Sequence, residues 1–534
     1  MYKVLDTTGY EKLANKYHIS SLAAKAMIAH SLSFTNKIKE IDCYEYEMMS
    51  QVVGIIYKSI NNREKIVIYG DYDVDGICSV SILYRTFKLL NYEVGYYVPN
   101  RYEDGYGLNT KRVEQFKEKG YSLIICVDNG IKAFESIELA KKYGMTVVVL
   151  DHHQKEENLP NFDAYLHPEY SGFSNYNMCG ASVCYYVSKA LLNKSDDICL
   201  CLAGIATLGD VMPLIDQNKY LVNKSVEFLN KNKYKAINML KNDNSKYDET
   251  VISMQIVPKL NAIGRIHKTS VINKLVKYLT SDNPMEIEML ANFIIESNES
   301  RKKLTEEYFS KLDKLEYTNK IIIEKDDDML EGINGIIASR FANKYNLPSI
   351  IFSLDETKLY YKGSARSVGN FNIVELFKDN PYIELYGGHK AAAGLTIKKE
   401  NYDLFYEKII SDTKDNMYEE PVLEVIEINE SELSYKSYLD LLKFSPFGEG
   451  NESPLFLIKN FDISRIKTSK DKKHIIINFN NETNLIGFNL VNKIKNDIIN
   501  YDLIFKLEFN NLFHNKISCK CIEVEESTNA GEDN

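Results

Sequence analysis

Three short apolar segments, each leading into acidic residues, constrain the fold of this chain most strongly. They are Ile66–Tyr69, Leu123–Val127 and Thr146–Leu150, and helical stretches separate them at 79–90 and 133–143. Continuous apolar strands that alternate with helices predict a parallel sheet covered on both faces. Such sheets bind ligands at the carboxyl ends of their strands, which is where these acids lie.

Four short polar segments contain the candidate chemistry. They are Gly-Asp-Tyr-Asp-Val-Asp-Gly at 70–76, Val-Asp-Asn-Gly at 127–130, Asp-His-His-Gln at 151–154 and Gly-Asp-Val-Met-Pro-Leu at 209–214. A single segment of this kind is more often a turn or a surface pair than a site. Together, however, they place acids and imidazoles where one parallel sheet would gather them.

The clustered charge favours a metal centre. Carboxylates held close together raise one another's pKa unless cations neutralise them. Asp73, Asp75, Asp128 and Asp210, with one or two imidazoles, form an oxygen–nitrogen set that suits manganese or magnesium, and histidine favours manganese. Two such ions about 3.5–4 Å apart can activate a water and clamp a phosphodiester, and we expect Asp128 to bridge them. The sequence has no G-x-S-x-G segment for a serine nucleophile.

The rest of the chain predicts further domains. The predicted organisation is an N-terminal helical extension (1–60), the parallel-sheet domain (61–283), a linking helix (284–318), a smaller α/β domain (319–420), a small antiparallel β-barrel or sandwich (421–525) and an acidic disordered tail (526–534). Asn283 is the predicted N-cap of the linking helix, with Pro284 at its first position. Asn298 and Arg301 interrupt its apolar stripe, so the helix either crosses a solvent gap there or contributes to function.

Composition excludes several classes of protein. A net charge of −10 argues against binding nucleic acid with the whole surface, although a local basic groove fits. Nine scattered cysteines without a C-x-x-C pair predict a reducing cytoplasm. The polar N-terminus and the lack of a long apolar run predict neither a signal peptide nor a membrane span.

The four polar segments resemble those of the DHH phosphoesterase superfamily, named for the motif present here as Asp151-His152-His153. Over nearly its full length the chain is similar to the bacterial 5′-to-3′ single-strand DNA exonucleases of that superfamily. The other segments that carry the resemblance are 258–265, 332–340, 363–367, 387–394 and 446–451. The resemblance implies a DHH domain, a DHH-associated domain and a C-terminal OB-fold.

The resemblance also implies an activity. The protein would degrade single-stranded DNA to mononucleotides in DNA repair and recombination, using two divalent ions, with Mn²⁺ preferred and Mg²⁺ accepted. We expect a monomer that binds single-stranded DNA with a 5′ end. Its expected partners are a helicase and a single-strand DNA-binding protein.

Site residues follow position by position from the resemblance. The implied metal ligands are Asp73, Asp75, Asp128, His152 and Asp210. His153 would lie beside the scissile phosphate as a hydrogen-bond donor or general acid, and Asp71 and Asp151 would support the ligands. The implied substrate contacts are Arg101 and Arg265 for the terminal 5′-phosphate, Arg366 and His389 for the strand, and Asn261, Ser364 and Gly388. The chain departs from the family in having Tyr69 and Leu330-Glu331 where histidine and His-Pro are common.

A basic cluster lies inside the predicted barrel. It comprises Arg465, Lys467, Lys470, Lys472, Lys473 and His474. OB-folds bind single strands through local positive charge and aromatic platforms, and the alternative is a solvated hairpin.

Three other functions share parts of these patterns. A DHH phosphodiesterase of short oligonucleotides or cyclic dinucleotides would have the same metal site, but would need neither the long helix nor the barrel. A catalytically inactive scaffold that binds DNA or a replication partner would lack metal carboxylates, and all four candidates are present here. A manganese-dependent inorganic pyrophosphatase would be shorter and would lack the barrel.

Overall fold

The structure is a computed structural model that describes residues 2–105, 107–173, 177–267, 270–314, 316–419, 422–495, 498–509 and 517–527. The chain divides into two compact units. The larger unit comprises Asp42–Asp210 and Ser225–Pro421, and the smaller unit comprises Met1–Ile41, Val211–Lys224 and Val422–Asn534. The chain therefore passes from the larger unit to the smaller one directly after the predicted metal ligand Asp210.

The strands are numbered in chain order. They are β1 (Tyr2–Val4), β2 (Ile66–Tyr69), β3 (Gly95–Tyr97), β4 (Leu123–Val127), β5 (Thr146–Leu150), β6 (Ala164–Leu166), β7 (Ile322–Asp326), β8 (Ser349–Leu354), β9 (Tyr360–Arg366), β10 (Ile383–His389), β11 (Ala392–Lys398), β12 (Leu423–Glu427), β13 (Leu455–Asp462), β14 (Lys467–Thr468), β15 (Ile475–Asn478), β16 (Thr483–Gly487), β17 (Asn500–Phe509) and β18 (Ile517–Glu526).

The α-helices are numbered in the same way. They are α1 (Tyr10–Tyr17), α2 (Ser21–Ala29), α3 (Met49–Asn61), α4 (Val74–Leu89), α5 (Thr110–Glu118), α6 (Phe134–Lys142), α7 (Gly180–Leu192), α8 (Asp197–Gly209), α9 (Asp216–Leu229), α10 (Lys235–Met239), α11 (Glu249–Val251), α12 (Val257–Ile266), α13 (Asn273–Thr280), α14 (Pro284–Leu312), α15 (Glu331–Tyr345), α16 (Tyr402–Thr413) and α17 (Tyr435–Leu441).

The first sheet of the larger unit has the strand order β3-β2-β4-β5-β6, and all its pairs are parallel. The three segments predicted as strands are β2, β4 and β5, with the predicted bounds. Every residue of β2 and β4 is buried, as expected for strands covered by helices on both faces. This sheet confirms the predicted parallel α/β architecture.

The second sheet of the larger unit has the order β10-β11-β9-β8-β7. Only β7 and β8 pair in parallel, and the other neighbours are antiparallel. Helix α15 contributes Ile333, Ile337 and Phe341 to one apolar cluster, and α16 contributes Phe405 and Ile409 to a second one. Both clusters include residues of this sheet. The exposed residues of β10 make it an open edge strand.

Helix α14 begins where the sequence predicts. Asn283 caps it, since its side chain accepts hydrogen bonds from the backbone N–H groups of Met285 and Glu286. Asn298 is buried, and its Oδ1 accepts from Arg301 Nε (3.2 Å) and from a terminal guanidinium nitrogen of Arg301 (2.9 Å). The predicted solvent gap is therefore wrong at Asn298, because the amide is enclosed and pairs with the arginine one turn later. Leu315, which falls within the predicted linking helix (284–318), lies outside the described residues.

The smaller unit is built on an eight-stranded sheet with the order β1-β12-β13-β17-β18-β16-β15-β14. The pairs β1–β12, β12–β13 and β16–β18 are parallel, so the sheet is mixed and not fully antiparallel as predicted. Alternating apolar residues predict strands, but they do not specify which strands pair.

The region predicted as one N-terminal helical extension is divided between the units. Strand β1 pairs with β12, and Leu22 and Ala23 of α2 enter the core of the smaller unit, whereas α3 belongs to the larger unit. The predicted acidic tail falls mostly on residues 528–534, outside the described part. All nine cysteines are buried with free thiols. Among the described residues, no helix is both long and apolar enough to cross a membrane.

Candidate metal centre and arginine cluster

The carboxyl ends of three neighbouring strands bring the predicted ligands together. Strands β2, β4 and β5 lie side by side, with Tyr69 opposite Cys126 and Val127 opposite Leu150. The acids and histidines that follow these strands share one edge of the sheet with Asp210, which follows α8. We call this set the acidic centre: Asp71, Asp73, Asp75, Asp128, Asp151, His152, His153 and Asp210.

Two helix N-termini fix the first carboxylates. The Asp73 side chain caps α4 by accepting from the backbone N–H groups of Asp75 and Gly76 at 3.0 and 3.1 Å. The two oxygens of Asp75 each accept at 2.7 Å, from the N–H groups of Gly180 and Ala181 at the start of α7. Gly180 must be glycine because a Cβ there would lie 2.8 Å from the Cβ of Asp128.

The imidazole of His152 lies among three carboxylates. Its Nε2 is 3.1 Å from Asp128 Oδ1, 3.5 Å from Asp75 Oδ2 and 3.7 Å from Asp210 Oδ2. Burial lowers the pKa of His152 to about 4, although the charge of Asp75 opposes this change. The ring is therefore neutral near pH 7, which is the form that binds a metal ion.

Asp151 organises the DHH segment. Its Oδ1 accepts from the backbone N–H of His152 (2.8 Å) and from Nδ1 of His153 (2.8 Å), and its Oδ2 accepts from the N–H of Ile131 (2.9 Å). Burial opposes a charge on His153, but its bond to Asp151 raises the pKa of His153 to about 9. Despite burial, the same bond lowers the pKa of Asp151. These contacts place Asp151 against both histidines, and its role as a support of the metal ligands stays a prediction.

The donor set fits divalent metal ions. Three groups have ligand atoms within 4.8 Å of one another: Asp128, His152 and His153; Asp75, His152 and Asp210; and Asp71, Asp73 and Asp128. Within the described part of the chain, the buried Asp71 Oδ1 and Asp210 Oδ2 have no hydrogen-bond partner. Buried polar atoms are normally paired, so these oxygens indicate a cationic ligand. The geometry places Asp71, predicted as a support, within reach of that ligand.

Without a cation, the acidic centre holds protons. Burial, followed by the charge of Asp73, raises the pKa of Asp71 to about 8. Burial, followed by the charge of Asp75, raises the pKa of Asp210 to about 8 and the pKa of Asp128 well above its usual range. Metal binding would therefore release protons as well as relieve repulsion.

We expect metal-free protein to lose stability between pH 7 and pH 9. Asp71 and Asp210 have folded pKa values of about 8, above the ordinary 3.8, and His153 has about 9, above the ordinary 6.5. A raised folded pKa stabilises the fold at low pH, and that contribution is lost as the pH passes the folded value. The free energy of unfolding should fall on the order of 5 kcal/mol across this window.

Denaturant unfolding at pH 7, 8 and 9, with a chelator or with Mn²⁺, measures this decrease. Mn²⁺ should largely remove the pH dependence, and Asp210→Asn should reduce it in metal-free protein. A flat profile in chelator would contradict the assignment of the protons to the acidic centre.

Four arginines gather in the same unit. Burial, followed by the positive charges of Arg101 and Arg301, lowers the pKa of Arg265 to about 10, and Arg366 adds to this effect. A terminal nitrogen of Arg265 donates to Gly332 O at 3.1 Å. We call this set the arginine cluster: Arg101, Arg265, Arg301 and Arg366. The guanidinium carbon of Arg101 lies 4.3 Å from the ring centroid of Tyr72, between Asp71 and Asp73, which places the cluster beside the acidic centre.

Arg366 extends the arginine cluster onto the second sheet. Its Nε donates to Ser339 Oγ at 3.1 Å, and a terminal nitrogen donates to Ala365 O at 2.8 Å. A Cβ at Gly335 would lie 2.9 Å from this guanidinium and 3.7 Å from Ser364 Oγ. The predicted substrate residues Ser364 and Arg366 are therefore neighbours.

Asn261 connects α12 to the metal-binding loop. Its Oδ1 accepts from the backbone N–H of Val74 at 2.9 Å, between Asp73 and Asp75. This contact gives Asn261 a positioning role in addition to the predicted substrate contact. Three residues later, Gly264 packs against the backbone of Tyr72, where a Cβ would lie 2.6 Å from the carbonyl oxygen.

The remaining predicted contacts lie elsewhere in each unit. Gly388 and His389 end the exposed edge strand β10, opposite Ala393 and Ala392 of β11. In the smaller unit, Arg465 donates twice to the Glu430 carboxylate at 2.8 Å, so its charge is already paired. Tyr69, at the family's histidine position, is a core residue whose hydroxyl donates to Gly107 O.

Two supports of the acidic centre were missed in the sequence. One is the pair of backbone N–H groups from Gly180 and Ala181 on Asp75, for which the only signal is a glycine before an apolar helical run. The other is His167, whose Nε2 lies 2.9 Å from His153 O while its Nδ1 accepts from the N–H of Glu169. His167 lies fourteen positions after His153, so no local pattern indicates this contact.

The larger unit has a parallel sheet with carboxylates and imidazoles at one edge, beside an arginine cluster. The chain is therefore an α/β protein with a candidate divalent-metal centre. Three family models match it in order: the DHH family N-terminal domain at 65–209, the DHHA1 domain at 318–415 and the RecJ OB domain at 426–521. The chain therefore combines a DHH-family N-terminal domain, a DHHA1 domain and a RecJ OB domain.

Two curated relatives illustrate the similarity, and each is named single-stranded-DNA-specific exonuclease RecJ. The Bacillus subtilis protein is 30% identical over 91% of this chain, which spans 65% of that relative's length. The Haemophilus influenzae protein is 28% identical over 76% of this chain and 77% of the relative.

Solved structures share the fold. RecJ from Thermus thermophilus in complex with Mn²⁺ has a TM-score of 0.85 at 20% identity, covering 99% of this chain and 80% of that one. Another RecJ bound to manganese has a TM-score of 0.60 at 24% identity, covering 69% of this chain and 95% of that one.

Proposed function

We propose that the protein hydrolyses single-stranded DNA from its 5′ end to mononucleotides, with two divalent ions at the acidic centre, in DNA repair and recombination. The observation that carries the proposal is the position of the arginine cluster. The Arg101 guanidinium lies 4.3 Å from the ring centroid of Tyr72, between Asp71 and Asp73, and Asn261, on the same helix as Arg265, binds the backbone N–H of Val74. A terminal phosphate bound there lies next to the hydrolytic site. The scissile bond is then close to the strand end, which favours exonucleolytic cleavage over internal cleavage.

The residues of the acidic centre have different roles in the proposed reaction. Asp73, Asp75, Asp128, His152 and Asp210 hold the ions, Mn²⁺ in preference to Mg²⁺, and Asp71 adds a further oxygen. Bound ions would polarise the phosphodiester and supply a water of lowered pKa. His153, held by Asp151 at 2.8 Å, presents an N–H and a positive charge to the scissile phosphate. The related RecJ from Thermus thermophilus is in complex with Mn²⁺, which supports the choice of metal.

The arginine cluster selects the strand end. A guanidinium binds two phosphate oxygens at once, and its charge is retained when it is buried. The Nε of Arg101 is buried without a hydrogen-bond partner among the described residues, so a donor is available for a ligand. Asn261, Ser364, Arg366, Gly388 and His389 guide the following nucleotides along the second sheet.

The smaller unit offers a second surface for the strand. A row of cross-strand neighbours on one face of its sheet comprises Lys467, Ile476, Ile486, Lys520 and Lys506. Phe488, two residues beyond Ile486, is 56% exposed, and its ring lies 5.2 Å from that of His474. Positive charge beside an exposed aromatic ring suits a stacked single strand.

The defining experiment offers purified protein and Mn²⁺ four substrates: 5′-labelled single-stranded DNA, duplex DNA, a dinucleotide and a cyclic dinucleotide. Release of labelled mononucleotide from the single strand, with little from the duplex, is the expected result. Hydrolysis confined to the dinucleotide or the cyclic dinucleotide would favour the small-molecule phosphodiesterase instead. Binding without hydrolysis of any substrate would favour a scaffold.

Replacing the exposed lysines of the β14–β15 hairpin should weaken binding of long strands. We expect Lys470→Ala, Lys472→Ala and Lys473→Ala together to raise the Kd for a 40-nucleotide strand about tenfold. Each lost phosphate contact should lower the slope of log K against log salt by about 0.7. Hydrolysis of a trinucleotide, which has few phosphates for contacts outside the acidic centre, should be unchanged.

Fluorescence anisotropy over a salt series measures both quantities for this triple variant. A control variant carries Lys12→Ala, Lys16→Ala and Lys436→Ala, which lie on α1 and α17 of the same unit. Equal effects in the two variants would indicate general charge loss and reject the hairpin as a contact.

We propose a cytoplasmic monomer that acts on strands exposed by a helicase and coated by a single-strand DNA-binding protein. Light scattering of the purified protein, with and without DNA, tests the monomer.

A further inference from the structure

A carboxylate lies inside the arginine cluster. Glu331 is the first residue of α15, and its Oε1 is 3.8 Å from a terminal nitrogen of Arg101. About a quarter of each side chain is exposed, 27% for Glu331 and 24% for Arg101. The next residue, Gly332, packs so closely on Arg265 that a Cβ there would lie 2.1 Å from the Arg265 carbonyl oxygen. Glu331 is therefore held at the proposed site of the terminal phosphate.

The pairing of Arg101 with Glu331 is looser than the structural arginine pairs of this chain. Arg85 binds Asp196 through two hydrogen bonds of 2.8 and 3.0 Å, and Arg465 binds Glu430 through two of 2.8 Å. At 3.8 Å the Glu331 oxygen is beyond hydrogen-bond distance from Arg101. A two-bond fork locks an arginine, whereas this contact leaves the guanidinium able to exchange partners.

Other contacts hold Arg101 in place. Its guanidinium carbon lies 4.3 Å from the centroid of the Tyr72 ring, in the loop that carries Asp71 and Asp73. The hydroxyl of the adjacent Tyr102 donates to Arg265 O at 2.7 Å. Arg101 therefore does not depend on Glu331 for its position, and the carboxylate has little structural reason to lie there.

We propose that Glu331 is an internal competitor for the terminal phosphate, which neutralises Arg101 in the free protein and weakens retention of the mononucleotide product. This inference rests on the proposed function, because it assumes that the arginine cluster receives a 5′-phosphate. Substrate DNA makes further contacts that overcome the competition, whereas a released mononucleotide has only its phosphate, sugar and base. The carboxylate thus lowers both affinities by a similar factor, but the strand retains its further contacts, whereas the product is left weakly bound.

Mononucleotide binding to full-length protein tests this role directly. The dissociation constant of thymidine 5′-monophosphate is measured by calorimetry with Mn²⁺ present, and thymidine serves as the probe without phosphate. Glu331→Gln should bind the monophosphate about tenfold more tightly than the unaltered protein, because a like charge is removed from beside the phosphate. Affinity for thymidine should not change.

Two further variants complete the test. Glu324→Gln is the matched control, since Glu324 is also a shielded glutamate of the larger unit, paired with Lys314 at 2.7 Å. It should bind the monophosphate as the unaltered protein does. In an Arg101→Ala background, the gain from Glu331→Gln should shrink, because the competition acts mainly through Arg101.

The outcomes separate the two levels of the proposal. Unchanged or weaker monophosphate binding by folded Glu331→Gln would overturn the competitor role while single-strand hydrolysis remains. Should Glu331→Gln melt early, Glu331→Asp decides: its shorter carboxylate should tighten monophosphate binding modestly, and no tightening overturns the inference. If the unaltered protein neither binds the monophosphate nor degrades single strands, the proposed function itself fails.

Discussion

Asp128→Asn should reduce hydrolysis of single-stranded DNA by at least about a thousandfold, the loss typical of a missing metal ligand or electrostatic group. Asp128 contributes to two of the three groups that could hold a metal ion, and it contacts His152 at 3.1 Å. An amide keeps the shape of the side chain but removes the charge that binds a cation. The measurement is mononucleotide release in Mn²⁺ from a 5′-labelled strand.

The same substitution should not destabilise the metal-free fold at alkaline pH. Burial and the surrounding aspartates raise the pKa of Asp128 well above its usual range, so its carboxylate is unfavourable there without a cation. We expect the melting temperature at pH 9 in chelator to equal or exceed that of the unaltered protein. Near-normal hydrolysis by Asp128→Asn would reject the acidic centre as the catalytic site.

Asp163→Asn is the matched control. Asp163 is an aspartate of the same sheet region that pairs with Lys141 at 2.6 Å, outside the acidic centre. It should lose some stability and retain hydrolysis at a temperature where it is folded. A comparable loss of activity in this control would indicate that the assay reports folding and not metal binding.

Arg265→Lys should lower kcat/KM for 5′-phosphorylated strands about a hundredfold and for 5′-hydroxyl strands much less. Lysine retains the positive charge but cannot form the two-pronged contact that a guanidinium makes with phosphate. It also cannot reproduce the bond to Gly332 O while contacting a ligand, since it has one nitrogen in place of three. The substitution should therefore remove the preference for a phosphorylated end.

The measurement compares the two strand ends at equal length and sequence. Arg63→Lys, an exposed position before β2, is the control and should leave the ratio of the two kcat/KM values unchanged. An equal loss on both ends would assign Arg265 to general catalysis. An unchanged ratio together with unchanged rates would reject the terminal-phosphate site.

The Arg265 and Glu331 variants should change the affinity for the monophosphate in opposite directions. Arg265→Lys should weaken binding of the monophosphate, whereas Glu331→Gln should strengthen it. Opposite changes at two residues of one cluster are hard to explain by altered folding, because destabilisation would weaken binding in both. The pair of variants therefore distinguishes a charge-tuned pocket from a merely structural cluster.

The sequence was most informative where the pattern is local. The bounds of β2, β4 and β5 follow from continuous apolar runs, since burial on both faces leaves no room for polar residues. The start of α14 follows from Asn283 and Pro284. The Asn283 side chain accepts from N–H groups of the first turn, and Pro284 has no N–H group to leave unpaired. The convergence of the acids follows from parallel strands whose carboxyl ends share one edge.

The sequence was least informative where residues far apart in the chain meet. β1 pairs with β12 across more than four hundred residues, so the N-terminal segment gives no sign of belonging to the OB-containing unit. Asn298 looked like a break in an apolar stripe, and only its enclosure with Arg301 explains it. The alternating pattern of the C-terminal region favours antiparallel neighbours, and it does not reveal the parallel pairs β12–β13 and β16–β18.

The three apolar runs therefore determined by themselves a parallel sheet with an acidic edge, because strand burial and strand direction are set by local composition and helical connections. Tertiary structure alone decided how the acids are held and charged. The N–H groups on Asp75, the carboxylates around His152 and the proximity of Glu331 to Arg101 all join separate segments. Burial and Coulomb interaction depend on distances in space, and those distances are not encoded in any short stretch of the chain.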